Sequence, residues 1–180
     1  MNLNQISRLL FIVILISSCS GPDDDQHGAS RVGLPDQESW EVTITLTKTG
    51  LKQAVIQAGH LEKYNDRQYT LLDDSVYIDF YDENEAHTSL LSALKAEIDE
   101  KSNYMTAIGN VVVVSDSGVT LYTDTLDWNS ELELIYTDNP VMITTEQNDT
   151  LYGTGFESDA GLDHWKVIKP TGVTDRGQDE

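Results

Sequence analysis

The stretch GVTLYTDTLDWNSELELIYTDNPVMI, residues 118–143, decides the fold class. Leu126 and Trp128 alternate with Thr125 and Asp127, and the pattern resumes after the Asp-Asn-Pro break at 138–140. A period of two is typical of a strand that turns one face to an apolar core and the other to solvent. The stretch therefore predicts two half-buried strands.

The same alternation recurs along the chain. WEVTITLT (40–47) places Val42, Ile44 and Leu46 on one face, and SVYIDFYD (75–82) does the same with Val76, Ile78 and Phe80. Short clusters of Asp, Asn, Ser, Gly and Pro separate these segments, as turns do. Many short strands with such breaks predict an all-β sandwich, roll or barrel.

One segment also permits a helix. In LLSALKAEIDEK (90–101), Leu91 and Leu94 have helical spacing, but Ala96 and Ile98 alternate with charged neighbours. We predict strand here because the segments around it are all β.

A weak internal repeat runs through the strands. TSLLSALKAEID begins at Thr88, TLYTDTLDWN at Thr120 and TLYGTGFESD at Thr150, which gives offsets of 32 and 30 residues. The repeat predicts hairpin units stacked on one another, with two unpaired strands at the ends of the stack. Small residues such as Ala58-Gly59 and Ala107…Gly109 recur near one phase of this repeat and predict sharp bends in the strands, with room for a ligand inside a groove as the alternative.

The N-terminus has the pattern of a secretory leader. Arg8 precedes the apolar run LLFIVILI (9–16), which is too short to span a bilayer and is followed by small residues. Ile16-Ser17-Ser18-Cys19 resembles the lipobox of bacterial lipoproteins, in which the cysteine is acylated and becomes the first residue. Cys19 is the only cysteine of the chain, so it cannot form an intramolecular disulfide. The alternatives are an ordinary signal peptide with a chance cysteine, or a frayed membrane helix.

These features divide the chain into four parts. We predict a lipoprotein signal peptide at 1–18, an acidic flexible tether at 19–39, one β domain at 40–174 and a disordered tail at 175–180. The tether prediction rests on its Gly, Pro and Ser residues and on the acidic triplet at 23–25, which leave it little to bury.

The charge of the chain limits its partners. The net charge is −20, and cleavage before Cys19 would remove Arg8 and no acidic residue, giving −21. Such a chain does not attract nucleic acid or an anionic bilayer by charge. We therefore expect no nucleic-acid partner.

The sequence offers little catalytic chemistry. His27, His60, His87 and His164 are scattered without metal-ligand spacing, and no nucleophile elbow or phosphate-binding glycine loop is present. The many carboxylates follow from the acidic composition. We expect neither an enzyme nor a cofactor or metal site.

The phrase Thr-Leu-Tyr-Thr-Asp-Thr-Leu-Asp-Trp, the Asn-Pro-Val corner after it and TLYGTGFESD (150–159) carry a family resemblance. Residues 40–174 resemble the LptC family, the periplasmic bridge component of lipopolysaccharide export. The resemblance implies an open β-jellyroll, in which two antiparallel sheets form a V-shaped apolar groove for lipopolysaccharide acyl chains. Better-known members have a transmembrane helix as anchor, whereas this chain has the lipobox at Cys19.

The resemblance also implies partners and a location. Lipopolysaccharide would come from the inner-membrane ABC transporter LptBFG at the N-terminal edge strand. It would leave to an LptA-like periplasmic jellyroll protein at the C-terminal edge strand. The protein would sit in the periplasm, held by its lipid anchor to the inner membrane.

The residues that alternate inward are the candidates for the groove, with plain core packing as the alternative for each one. They are Val42, Ile44, Ile56, Val76, Ile78, Phe80, Ile98, Val111, Val113, Leu121, Leu126, Trp128, Val141 and Ile143.

A second function stays open. A membrane-anchored periplasmic or surface lipoprotein with the same β-roll would bind a glycan or a protein and carry no lipid. That function favours aromatic residues on one open face, and Tyr64, Tyr69, Tyr81 and Trp165 are the candidates.

Overall fold

A computed structural model of the chain describes residues 33–102, 104–147 and 149–174. The predicted signal peptide, Cys19, the first part of the tether and the tail lie outside these residues. The described residues form eleven antiparallel strands and the turns between them. The strands are β1 (Gln37–Lys48), β2 (Leu51–Tyr64), β3 (Tyr69–Asp73), β4 (Val76–Tyr81), β5 (His87–Ala93), β6 (Lys95–Asp99), β7 (Tyr104–Ser115), β8 (Thr120–Asn129), β9 (Leu134–Thr144), β10 (Thr150–Asp159) and β11 (Lys166–Thr174).

Strand β1 corrects the predicted start of the domain. It begins at Gln37, whereas the tether was predicted to run to residue 39. Gln37, Glu38 and Ser39 pair with residues 61–63 of β2, and Asp36 accepts a backbone hydrogen bond from Asn65 through its carboxylate. Polar composition hid this start, because a strand at the edge of a sheet needs backbone pairing more than apolar side chains.

The strands follow one another as a meander. β2 pairs with β4 through its first half and with β3 through its second half, and β7 pairs with β6 and β5 in the same divided way. Thus β3 and β4 behave as one bent strand, and so do β5 and β6. Most of the segment 90–101 is strand, as predicted, but it is interrupted at Leu94 and ends at Asp99, where a turn follows.

The bends lie side by side in neighbouring strands and form a fold line across the sheet. On this line Glu41, Asp74 and Asn110 have positive φ angles of 52°, 56° and 50°, and Gly109 has 82°. Gly59 lies between Glu41 and Asp74, and a Cβ on it would lie 2.5 Å from the backbone oxygen of Asp74. The predicted bends at Ala58-Gly59 and Ala107…Gly109 are therefore confirmed, since only a residue without a side chain permits this approach.

The fold line turns the sheet into two facing walls. Phe80 and Trp128 come from opposite walls and meet edge to face, with ring centroids 5.1 Å apart. Wall 1 contains residues 37–40, 60–64, 69–73, 95–99, 104–108, 126–129, 134–137, 156–159 and 166–169. Wall 2 contains residues 42–48, 51–58, 76–81, 87–93, 111–115, 120–123, 141–144, 150–154 and 170–174.

The internal repeat corresponds to this architecture. Thr88, Thr120 and Thr150 each lie at or near the start of a strand that runs from wall 2 across the fold line to wall 1. Each repeat is one outgoing and one returning bent strand, as the hairpin prediction required. The apolar faces of both walls bury one continuous core.

Candidate functional site

The predicted groove residues lie on the inner faces of the walls. Eleven of the fourteen are buried in the core, and Val42, Ile44 and Ile98 are half-buried and pack against it. Ile143 and Ile78 have no exposed surface at all. Their inward direction is therefore observed, whereas contact with a ligand stays a prediction.

The first cavity lies at the β1 end of the interior. It has a volume of about 630 Å³, and Ile44, Leu46, Ile98, Met105 and Trp128 supply much of its apolar lining. Lys48, Lys63, Glu100 and Glu131 lie on its wall as well. Here the interior is accessible, which explains why Ile44 and Ile98 are only half-buried.

The second cavity lies further along the sheet and has a volume of about 510 Å³. Phe80 and Trp128 form its apolar part, and the turn between β10 and β11 closes one side. Its rim is acidic: two lysines, Lys48 and Lys52, stand among carboxylates. The carboxylates are Asp82, Glu83, Glu133, Asp159 and Asp163.

The side opposite the fold line is the mouth, where turns of wall 2 meet turns of wall 1. Near β1, Lys48 Nζ lies 2.7 Å from Glu133 Oε1, and Gln53 Nε2 donates to the carbonyl oxygen of Ser130 at 3.1 Å. Lys48, Gln53 and Trp128 line both cavities. The contacts of Lys48 and Gln53 therefore bridge the mouth between the two cavities.

A second pair of contacts closes the mouth further along. The hydroxyl of Ser89 donates to the carbonyl oxygen of Ala160 at 2.5 Å, and that of Ser115 donates to the carbonyl oxygen of Gly161 at 2.6 Å. Both serines are buried, so these hydrogen bonds are shielded from water. Sequence reasoning missed all four bridges, because each joins residues 46 to 85 positions apart.

The two end strands offer free edges. In the described part of the chain, β1 pairs only with β2 and β11 only with β10. Neither outer edge is covered by another strand there. Such an edge is a template for pairing with a further strand.

The aromatic candidates for an open binding face do not share a surface. Tyr64 and Tyr69 lie on wall 1 with ring centroids 6.0 Å apart, Tyr81 lies on wall 2, and Trp165 packs against the core. A different set was missed. Tyr77, Tyr122 and Tyr152 are exposed and lie in one cross-strand row on the outer face of wall 2.

His60 lies in a cluster with two carboxylates. His60 Nε2 lies 3.0 Å from Glu38 Oε1, and Nδ1 lies 2.9 Å from Asp73 Oδ1. Hydrogen bonds to Glu38 first and Asp73 second raise the pKa of His60 above its usual 6.5. Glu62 lies near enough to complete a possible metal-ligand group with Glu38 and His60. Since carboxylates already occupy both ring nitrogens, the arrangement is an ion-pair cluster that ties β1 and β3 to β2.

The comparisons with known proteins agree with this architecture. The family described as "Lipopolysaccharide-assembly, LptC-related" matches residues 35–170. Among solved structures, the chain is similar to LptH, the LptA-homologous periplasmic component of the lipopolysaccharide transport device of Pseudomonas aeruginosa. The TM-score is 0.52 at 11% identity, over 69% of this chain and 95% of that one, and it supports the jellyroll fold. No curated protein matches the chain.

In the part of the chain that the structure describes, no helix is long and apolar enough to cross a membrane. The family match extends over nearly all of the bent strands. The chain therefore belongs to the LptC-related lipopolysaccharide-assembly family.

Proposed function

We propose that this protein carries lipopolysaccharide across the periplasm with its acyl chains between the two walls. The observation that supports this most is the pair of cavities along one apolar interior, both bordered by Trp128. A cavity of 510 or 630 Å³ has the size of a small-molecule site, and together they lie on one path along the mouth.

The mouth must open for this function. Most inner residues are packed against one another, so acyl chains enter only if the walls separate. Among the described residues, contacts made by single side chains bridge the mouth, whereas continuous backbone joins the walls at the fold line. Separation at the mouth with bending at the fold line would leave the strand pairing within each wall intact.

The two edges give the proposal a direction. We place the inner-membrane ABC transporter LptBFG at the outer edge of β1 and an LptA-like jellyroll at the outer edge of β11. Backbone pairing across these edges would align the interiors of successive proteins into one path. Acylation at Cys19 would hold the protein to the inner membrane on its periplasmic side, as more than one acyl chain anchors stably.

The test is photocrosslinking in cells from residues inside and outside the walls. A photoreactive residue at Phe80, Trp128 or Ile143 should give lipopolysaccharide adducts. The same residue at Thr125 or Tyr122, which lie on outer faces, should give none. Adducts that are absent from folded protein at all three inner positions would refute the conduit.

A second candidate function rests on the exposed tyrosine row. Tyr77, Tyr122 and Tyr152 present three rings on the outer face of wall 2, as a glycan- or protein-binding lipoprotein requires. Adducts with a protein or a glycan from Tyr122, without lipid adducts from the inner positions, would favour this function.

A further inference from the structure

Trp128 carries an unused hydrogen-bond donor inside the walls. It lies near the end of β8, is 3% exposed, and borders both cavities. Its Nε1 is buried and has no hydrogen-bond partner among the described residues. A buried donor without an acceptor is costly, and native structures leave few of them.

The neighbours of Trp128 make this donor stand out. Asp127 accepts from the hydroxyl of Thr106 at 2.5 Å, and the amide of Asn129 donates to the Tyr104 hydroxyl at 2.8 Å. The side-chain oxygen of Asn129 also accepts from two backbone N–H groups. The polar side chains on both sides of Trp128 are thus satisfied, and only the indole N–H is left over.

The surroundings decide which acceptor fits. An indole is a donor only, so the ligand must bring a lone pair. The second cavity has five carboxylates and two lysines, and the first has two of each, so neither has the excess of positive charge that would hold an anionic acceptor such as a phosphate. The inner walls on either side are apolar. A neutral carbonyl attached to an alkyl chain supplies the lone pair, carries no negative charge and fits between apolar walls.

We propose that the indole N–H of Trp128 donates a hydrogen bond to the ester or amide carbonyl that joins an acyl chain to its head group. This inference rests on the proposed function, since it needs acyl chains between the walls. It fixes the position of the acyl carbonyl beside Trp128. Trp128 lies beside the Lys48–Glu133 bridge, so the carbonyl marks where chain gives way to head group at the mouth.

The experiment compares two probes that differ only in the carbonyl. Monooctanoyl glycerol has an ester, and 1-O-octylglycerol has an ether in its place. Both are neutral, and both are used as monomers with the full chain, its Trp128→Phe variant and a Trp165→Phe control. Trp165 packs on the core but does not line either cavity.

We expect the ester to bind the wild-type protein about fivefold more tightly than the ether, which is the factor for one hydrogen bond. Trp128→Phe should abolish that difference, so that the ester and the ether bind the variant equally. Trp165→Phe should change neither. The NMR resonance of the Trp128 indole N–H should move downfield with the ester and not with the ether. This second readout is made on the wild-type protein, so it does not depend on whether a variant folds.

The failures are distinguishable. Equal binding of both probes with an unmoved indole resonance would overturn the carbonyl contact and leave the conduit standing, with an internal water as the partner of Nε1. Binding of neither probe, together with no lipopolysaccharide adducts in cells, would overturn the conduit and the contact together.

Discussion

The fold line and the mouth close the same interior by different means. At the fold line every bent strand, with β3–β4 and β5–β6 each counted as one, passes from one wall to the other, so peptide bonds join the walls. At the mouth the walls meet through a few side chains, such as Lys48 with Glu133 and Ser115 with Gly161. The fold line is a covalent hinge, whereas the contacts at the mouth can break and re-form.

This difference assigns stability and function to opposite sides. Close backbone approach at the fold line tolerates little change, since packed backbone has no space to give. The Lys48–Glu133 pair is about half exposed, at 45% and 50%, and exposed ion pairs contribute little to stability. We therefore expect substitutions at the fold line to affect folding and substitutions at the mouth to affect access.

The largest effect is expected from Gly59→Val. Its side chain would meet the backbone oxygen of Asp74 at 2.5 Å, so the bend must distort. We expect the free energy of unfolding to fall by about 3 kcal/mol, measured by urea unfolding. Gly172→Val is the matched control, because a Cβ there meets nothing within 4 Å. Equal losses in the two variants would contradict the account of the fold line.

At the mouth we expect a smaller effect on stability and a larger effect on the entry of lipid between the walls. Glu133→Gln should lower the free energy of unfolding by less than about 1 kcal/mol, because the ion pair is exposed. The rate at which the protein takes up a fluorescent acyl lipid should rise. Glu157→Gln is the control, since Glu157 pairs with Lys166 within wall 1 and does not bridge the mouth.

Zero-length crosslinking of lysine to carboxylate checks the same point in the wild-type protein. The Lys48–Glu133 product should decrease when lipid is bound, whereas the Lys166–Glu157 product should not. If both products persist equally under saturating lipid, the mouth does not open at this bridge.

The smallest effect is expected from the ion-pair cluster beside the fold line. Because the folded state raises the pKa of His60, its contribution to stability is full below pH 6.5 and is lost as the pH rises through the folded pKa. NMR titration should show Glu38→Gln lowering this pKa more than Asp73→Asn, since the hydrogen bond to Glu38 is the larger cause. His60→Gln should remove the pH dependence in that window. If the free energy of unfolding of this variant still depends on pH in that window, the dependence comes from another group.

The sequence was informative where its signal is local. Alternation identifies the inner faces at Ile78 or Leu126 because a strand repeats every two residues. Small residues at Ala58-Gly59 locate the bend because few other residues fit there. These two signals account for the walls and the fold line.

The mouth could not be predicted in this way. Lys48 and Glu133 are 85 positions apart, and each looks like an ordinary surface charge. Their meeting depends on the number of strands between them and on the angle of the bend. His60, Glu38 and Asp73 were missed for the same reason, because cross-strand pairing sets their distances and the spacing along the chain does not.

The meander has a consequence for how the chain matures. Each bent strand pairs only with the one before and the one after it along the chain. Contacts of this kind are local for a β protein, and structure in stacked units can propagate from one unit to its neighbour. We therefore expect that a chain delivered from its N-terminus onward can fold strand by strand, each new strand pairing with the edge of the one before it. Among the described strands the outer edge of β11 comes last, and docking of another jellyroll there would add one more strand by the same backbone pairing, now between molecules.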